Sequence, residues 1–186
     1  MPRSETSDFT IRPAASADVP AIGRLGALLV RVHHDFDPQR FLAPTPQTEH
    51  GYGSYLGSQL RTPSVVIIVA ERDGVVLGYT YAGVEGYDYM ELRGPAGVLY
   101  DIVVDPAHRG HGVGRALLDA TLESLEARGA PRVVLSTAER NEPAQRLFAS
   151  AGFRRTMIEM TRELEGADGS SERVKDVRES SRLTDR

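Results

Sequence analysis

The chain contains no cysteine and no tryptophan in its 186 residues. Without thiols there is no disulfide framework, thiolate zinc site, iron–sulfur cluster or cysteine nucleophile. Lysine is almost missing as well. Lys175 is the one lysine among 22 basic residues, the rest being arginine, a bias that reads as genomic base composition. The net charge of −4 argues against a basic nucleic-acid-binding surface. Long hydrophobic runs are lacking: the longest, Val65 to Ala70, is far short of the roughly 20 residues that span a bilayer. Met1 to Thr10 is polar, without the apolar stretch of a signal peptide. These absences lead to the expectation of a cytoplasmic protein with neither a nucleic-acid nor a membrane partner.

What is present suits one folded domain, since 40% of the residues are apolar. Phe9 to Arg12 alternates as a short strand ended by Pro13. Asp18 caps a helix to about His33, with Pro20 in its first turn and apolar residues at helical spacing. A weaker helix runs from Thr45-Pro46 to about Arg61, diluted by Gly51, Gly53 and Gly57. Ser64 to Arg72 and Val75 to Glu85 are strands joined by an Asp73-Gly74 hairpin turn. After a polar loop, Val98 to Val104 is a third long strand. A glycine-rich turn leads into an amphipathic helix closed by Gly129. Pro131 to Thr137 reads as a buried strand, Asn141 caps a helix to about Ala151, and Phe153 to Leu164 alternates as a last strand. The order β-α-α-β-β-β-α-β-α-β implies an α/β (α+β) fold over residues 1–164, with helices flanking a mixed sheet. Residues 165–186 form a polar, Ser-, Gly- and charge-rich tail.

The most informative stretch is Tyr100 to Leu118, YDIVVDPAHRGHGVGRALL. A strand, a glycine turn and a helix in succession make an anion cradle, because backbone N–H groups and the helix dipole face the same point. Arg109 and Arg115 bracket the turn. A P-loop is excluded because no lysine follows the glycines. A dinucleotide fingerprint needs G-x-G-x-x-G, whereas Gly110, Gly112 and Gly114 read G-x-G-x-G with Arg115 next. The pattern R-x-x-G-x-G matches fully at Arg109, Gly112 and Gly114.

That pattern, the later block NEPAQRLFASAGF from Asn141 to Phe153, and the element order around both resemble the GCN5-related N-acetyltransferase (GNAT) superfamily. The resemblance covers about residues 9–164 and implies a mixed, mostly antiparallel central sheet. It implies acetyl-CoA as co-substrate, with no metal, and transfer of the acetyl group to a primary amine by direct attack in a ternary complex. By position, Ile102, Val103 and Val104 would lie along pantetheine. Arg109, Gly110, His111, Gly112, Val113, Gly114 and Arg115 would wrap the pyrophosphate. Asn141 and Ala144 would contact the pantetheine arm, Phe148 would sit near the thioester, and the Val104 backbone N–H would face the developing oxyanion.

The chain departs from the family pattern at its proton-transfer positions. Leu147-Phe148 stands where many members have Leu-Tyr, so the usual general acid is absent. Tyr100 occupies the position of a carboxylate in polyamine acetyltransferases and is the candidate catalytic side chain, relaying a proton through water. Ser136 replaces a glutamate of ribosomal-protein Nα-acetyltransferases. Asp101, one residue on, should face the other side of the strand by alternation unless a bulge intervenes. Two loops rich in acids suggest a small cationic acceptor. One holds His33, His34, Asp35, Asp37 and Glu49; the other holds Glu85, Tyr87, Asp88, Tyr89 and Glu91. Adjacent helical side chains diverge, which argues against His33-His34-Asp35 as a metal site. A non-catalytic acyl-CoA-binding sensor on the same fold is the alternative. A dinucleotide-binding fold is a third reading, and strands splayed at Val104 and Ser136 would tell the acetyltransferase from it. The chain is expected to be a monomer or homodimer.

Overall fold

The computed structural model describes residues 8–164, and its five strands form one sheet in the order β1-β2-β3-β4-β5. β1 (Thr10–Pro13), β2 (Val65–Arg72), β3 (Val75–Glu85) and β4 (Ala96–Val104) pair antiparallel, while β5 (Val133–Leu135) joins β4 in parallel. Four α-helices accompany them: α1 (Val19–Phe36), α2 (Thr48–Gln59), α3 (Val113–Ala127) and α4 (Glu142–Ser150). The expected mixed, mostly antiparallel sheet with flanking helices therefore forms. Asp73 and Gly74 take φ of 52° and 77°, the paired positive values of the tight turn that suits strand twist.

Both faces of the sheet are covered, which is why β2 reads as a continuous apolar run rather than a simple alternation. On one face Ile68, Leu77 and Leu99 pack with Leu117 and Leu118 of α3 and with Phe148 of α4. On the other, Val69, Tyr79 and Val103 pack with Ile22 and Leu25 of α1 and Leu56 of α2. The glycines that weaken α2 as an isolated helix let it lie tightly against α1. A Cβ at Gly23 would come within 2.6 Å of the Glu49 carbonyl oxygen, and one at Gly53 within 3.2 Å of the Val19 carbonyl oxygen. Asp18 begins α1 without a side-chain cap. Its carboxylate instead accepts from the Ala15 N–H at 2.8 Å and from Arg12 at 2.7 Å and 2.9 Å. The Arg12 hydrogen bonds, which outweigh burial, hold its pKa below the ordinary value.

Residues 8–154 form one compact unit, and residues 155–164 are described by themselves. The last strand expected from Phe153 to Leu164 is not formed: these residues carry neither helix nor strand. Alternation marks which residues could share a face, but a strand also needs a neighbouring ladder, which its own sequence does not encode. Met157 and Met160 are accordingly 74% and 90% exposed. The polar tail at 165–186 lies outside the described residues. No helix among the described residues is long and apolar enough to cross a membrane.

Candidate active site

β4 and β5 run together for only three pairs, Gly97 with Val133, Val98 with Val134 and Leu99 with Leu135. Beyond them the parallel strands part before reaching Val104 and Ser136, the arrangement that distinguishes the acetyltransferase reading from the dinucleotide fold. A cavity of about 310 Å³ opens at the parting. Leu135, Ser136, Asn141, Ala144 and Phe148 line it from β5 and α4. From the other side come Tyr100, Asp101 and Ile102 of β4, His33 of α1 and Tyr52 of α2.

The β3–β4 ladder determines which backbone groups of β4 face this cleft. The Asp105 N–H donates to the Leu77 carbonyl at 2.8 Å, and the Val103 carbonyl oxygen points at Gly78, where a Cβ would lie 2.5 Å from it. Successive residues of an antiparallel strand direct their backbone groups to opposite edges. Ile102 and Val104 therefore present theirs to the cleft, and Val103 turns both its backbone and its buried side chain away. Arg109 Nε donates to the Val104 carbonyl at 3.1 Å, anchoring the glycine turn to the strand end. The Val104 N–H shares that cleft edge.

Gly110 and Gly112 adopt φ of 80° and 81°, values an L side chain rarely takes. A Cβ at either would meet nothing within 4 Å. The backbone conformation requires glycine there, and the space above it stays open. Gly112 precedes α3, whose first bond back to the turn is Ala116 N–H to the Gly112 carbonyl at 3.0 Å. The N–H groups of Val113, Gly114 and Arg115 belong to the first helical turn, where no intrahelical acceptor exists. Arg109 and His111 are exposed beside them, while the Val113 side chain is core. Arg115 leans toward α4, paired with Asp119 at 2.8 Å and reaching the Ser150 carbonyl at 3.4 Å. On α4, the Asn141 side chain accepts the Ala144 N–H at 3.3 Å, so its N-cap also forms part of the cavity wall. Phe148 is 6% exposed and packs edge-on against Phe153.

A bulge in β4 builds the opposite wall. Tyr81 pairs with Asp101 and Ala82 with Leu99, leaving Tyr100 as the extra residue. Both Tyr100 and Asp101 consequently face α1 and α2, which corrects the expectation that Asp101 points to the other side. The Tyr100 ring lies 4.7 Å from that of Tyr81. Its hydroxyl donates to Glu85, which is also paired with Arg93. Burial, and then the Glu85 hydrogen bond, raise the Tyr100 pKa, so this hydroxyl keeps its proton. Asp101 receives two hydroxyl donors, Tyr52 at 2.8 Å and Tyr79 at 3.0 Å, both on Oδ2. Burial raises the Asp101 pKa, opposed by these same two hydrogen bonds.

His33 completes the wall. Its Nδ1 lies 2.9 Å from the Leu29 carbonyl oxygen; a carbonyl only accepts, so Nδ1 carries the hydrogen and a neutral ring keeps its lone pair on Nε2. Phe41 packs edge-on against the ring at 5.0 Å. None of the acids named in the two loops lines the cavity. Asp37 and Asp88 accept backbone N–H groups of their own turns. Of the candidate acceptor-site residues in those two loops only His33 reaches the cavity, where Tyr100 and Asp101 of β4 join it. Tyr52 and Tyr79 have no motif that would single them out. The one local sign is Gly26, where a Cβ would collide with the Tyr52 ring at 2.1 Å.

The model of the acetyltransferase (GNAT) family matches residues 29–153. A mycothiol acetyltransferase of Thermobispora bispora is 41% identical over 96 residues, covering 50% of this chain and 31% of that protein. The match thus spans between 21% and 32% of the length of such curated relatives. Among solved structures, a single-site mutant of a Bacillus halodurans protein superposes with a TM-score of 0.71 at 20% identity, covering 83% of this chain and 99% of that one. A GCN5-related N-acetyltransferase from Ralstonia eutropha gives 0.63 at 23% identity, covering 85% and 99%. At these identities the structural likenesses speak for the fold alone.

Proposed function

Because the chain belongs to the acetyltransferase (GNAT) family, we propose that it transfers the acetyl group of acetyl-CoA to a primary amine of a small cationic molecule. The observation that carries this reading is the cleft itself. Parted β4 and β5 run beside an open glycine turn at one end and the buried carboxyl of Asp101 at the other. The turn, with free N–H groups at the start of α3, fits a pyrophosphate. The cleft-side backbone of Ile102 and Val104 fits an extended amide-containing arm, and Asn141, Ala144 and Phe148 form the facing wall. An amine fits the far end, since the residues lining the cavity include a carboxyl and no arginine or lysine.

The chemistry then divides among this chain's residues. An alkylammonium must lose a proton before its nitrogen can attack. Asp101 holds the ammonium, and Nε2 of His33 takes the proton. The nitrogen adds to the thioester carbonyl carbon, and the Val104 N–H stabilises the oxyanion. The C–S bond breaks as the tetrahedral nitrogen gives its second proton to solvent. Phe148 has no proton to give, so the departing thiolate is protonated from solvent, which a thiol of pKa roughly 8.5 tolerates. Tyr100 keeps its proton and serves as a wall and donor. The test is calorimetric binding of acetyl-CoA followed by coenzyme A release with an amine panel. Absence of acetyl-CoA binding by the folded protein would falsify the reading.

A further inference from the structure

We infer that the acceptor subsite takes a single ammonium group carried on an aromatic or branched apolar body, rather than a polyamine or an amino sugar. This inference rests on the proposed amine transfer and specifies its acceptor class. The first support is the charge count. Among the residues lining the cavity Asp101 is the only carboxylate, His33 is the only histidine, and there is no arginine or lysine. A second ammonium on the same molecule would enter with no counter-charge, at a desolvation cost that excludes it.

The second support is the geometry of the carboxyl. Tyr52 and Tyr79 both donate to Oδ2, at 2.8 Å and 3.0 Å, and no described residue donates to Oδ1. Asp101 retains accessible surface and lines the cavity, so the open oxygen is available to a ligand there. The two tyrosine hydroxyls hold Oδ2, leaving Oδ1 as the open acceptor of the carboxyl.

Third, the side of the cavity nearest α1 is largely apolar. Leu29, Val30, Phe41 and Leu42 line it together with Tyr52 and Tyr100. A hydroxyl-rich or repeatedly charged molecule would find few partners for its polar groups, whereas a phenyl ring or branched alkyl chain would be covered. The volume is small as well. About 310 Å³ lies at the low end of the roughly 300–1,000 Å³ typical of ligand sites, and the thioester arm must share it.

Three probes test this by calorimetry on the full chain: 2-phenylethylamine, its uncharged isostere 2-phenylethanol, and spermidine. 2-Phenylethylamine is expected to bind roughly 10- to 100-fold more tightly than either of the others, the fold-change that one hydrogen bond to a charged group supplies. Asp101→Asn should erase its advantage over 2-phenylethanol, with an unchanged circular dichroism spectrum showing that the fold persists. Spermidine binding as tightly as 2-phenylethylamine, or an advantage that survives Asp101→Asn, overturns the inference. Coenzyme A release in parallel separates the two readings. The expected probe order without release removes the transfer chemistry and leaves the subsite standing, whereas release that is fastest with spermidine removes the subsite and leaves the chemistry.

Discussion

The Tyr52 hydroxyl on α2 donates to Oδ2 of Asp101 on β4 at 2.8 Å, joining a helix to the strand that borders the cleft across 49 residues of sequence. The bond depends on three features acting together. The β4 bulge turns Asp101 toward α2, Gly26 leaves room on α1 for the Tyr52 ring, and glycines bring α1 and α2 close enough for the ring to reach.

Asp101→Asn is expected to separate stability from activity. Burial holds the folded carboxyl above its unfolded value. Its contribution is therefore fully present below the unfolded pKa and is lost as pH rises through the folded one. Wild type should lose ground to the variant as pH climbs from the ordinary carboxylate range. In thermal unfolding at several pH values, the gap in midpoint should move in the variant's favour by about 2–4 °C per kcal/mol. Turnover of an amine should fall by about 10²-fold, within the cost of losing one partner of a buried charge pair. A pH-independent gap in midpoint contradicts the titration.

Gly26→Ala should act at a distance. Alanine is the better helix former by about 1 kcal/mol, yet its Cβ would meet the Tyr52 ring at 2.1 Å. The ring must move, and its hydroxyl leaves Asp101. The variant is expected to lose as much kcat/KM as Tyr52→Phe. In a Tyr52→Ala background the same change should instead stabilise by up to about 1 kcal/mol, the propensity gain alone. A double-mutant cycle in urea measures the coupling, and additivity would count against the packing described.

His33→Gln tests the proton acceptor. The side-chain amide can still donate to the Leu29 carbonyl, but it offers no basic nitrogen. A fall in kcat of about 10²–10⁴-fold is expected, with acetyl-CoA affinity unchanged by calorimetry. An unchanged kcat would assign the proton elsewhere.

Gly112→Ala probes the anion cradle. With φ at 81°, alanine should cost about 1–2 kcal/mol of stability. Nothing in the protein lies within 4 Å of the new methyl, so any loss of acetyl-CoA affinity beyond this reports crowding of the ligand. A drop of about tenfold or more is expected by calorimetry, where tenfold corresponds to about 1.4 kcal/mol. Gly129→Ala, at φ 83° in the turn after α3, supplies the strain-only control.

Much of the scaffold is legible in the residues. β3 falls at Val75–Glu85 as its alternation and turn predict, and the glycine turn before α3 is visible as a motif. The bulge at Tyr100 is not, because VLYDIVV is apolar throughout except at Asp101 and only the pairing with β3 shows an extra residue. Alternation alone therefore puts Asp101 on the wrong face, and the bulge is the exception to it. Gly53 and Gly57 weaken the case for α2 when read as helix residues, although tertiary contact is what requires them. Phe153 to Leu164 has a strand's alternation without the ladder. Tyr52, Tyr79 and Asp101 meet only through tertiary packing, which no window of sequence contains.

The most direct measurement is coenzyme A thiol release when 2-phenylethylamine is added to the protein and acetyl-CoA, with the product identified by mass spectrometry. Amine-dependent release, one acetyl group per amine and strong suppression by Asp101→Asn are the expected results. Tight acetyl-CoA binding with no release for any primary amine would contradict transfer and leave a non-catalytic acyl-CoA-binding protein.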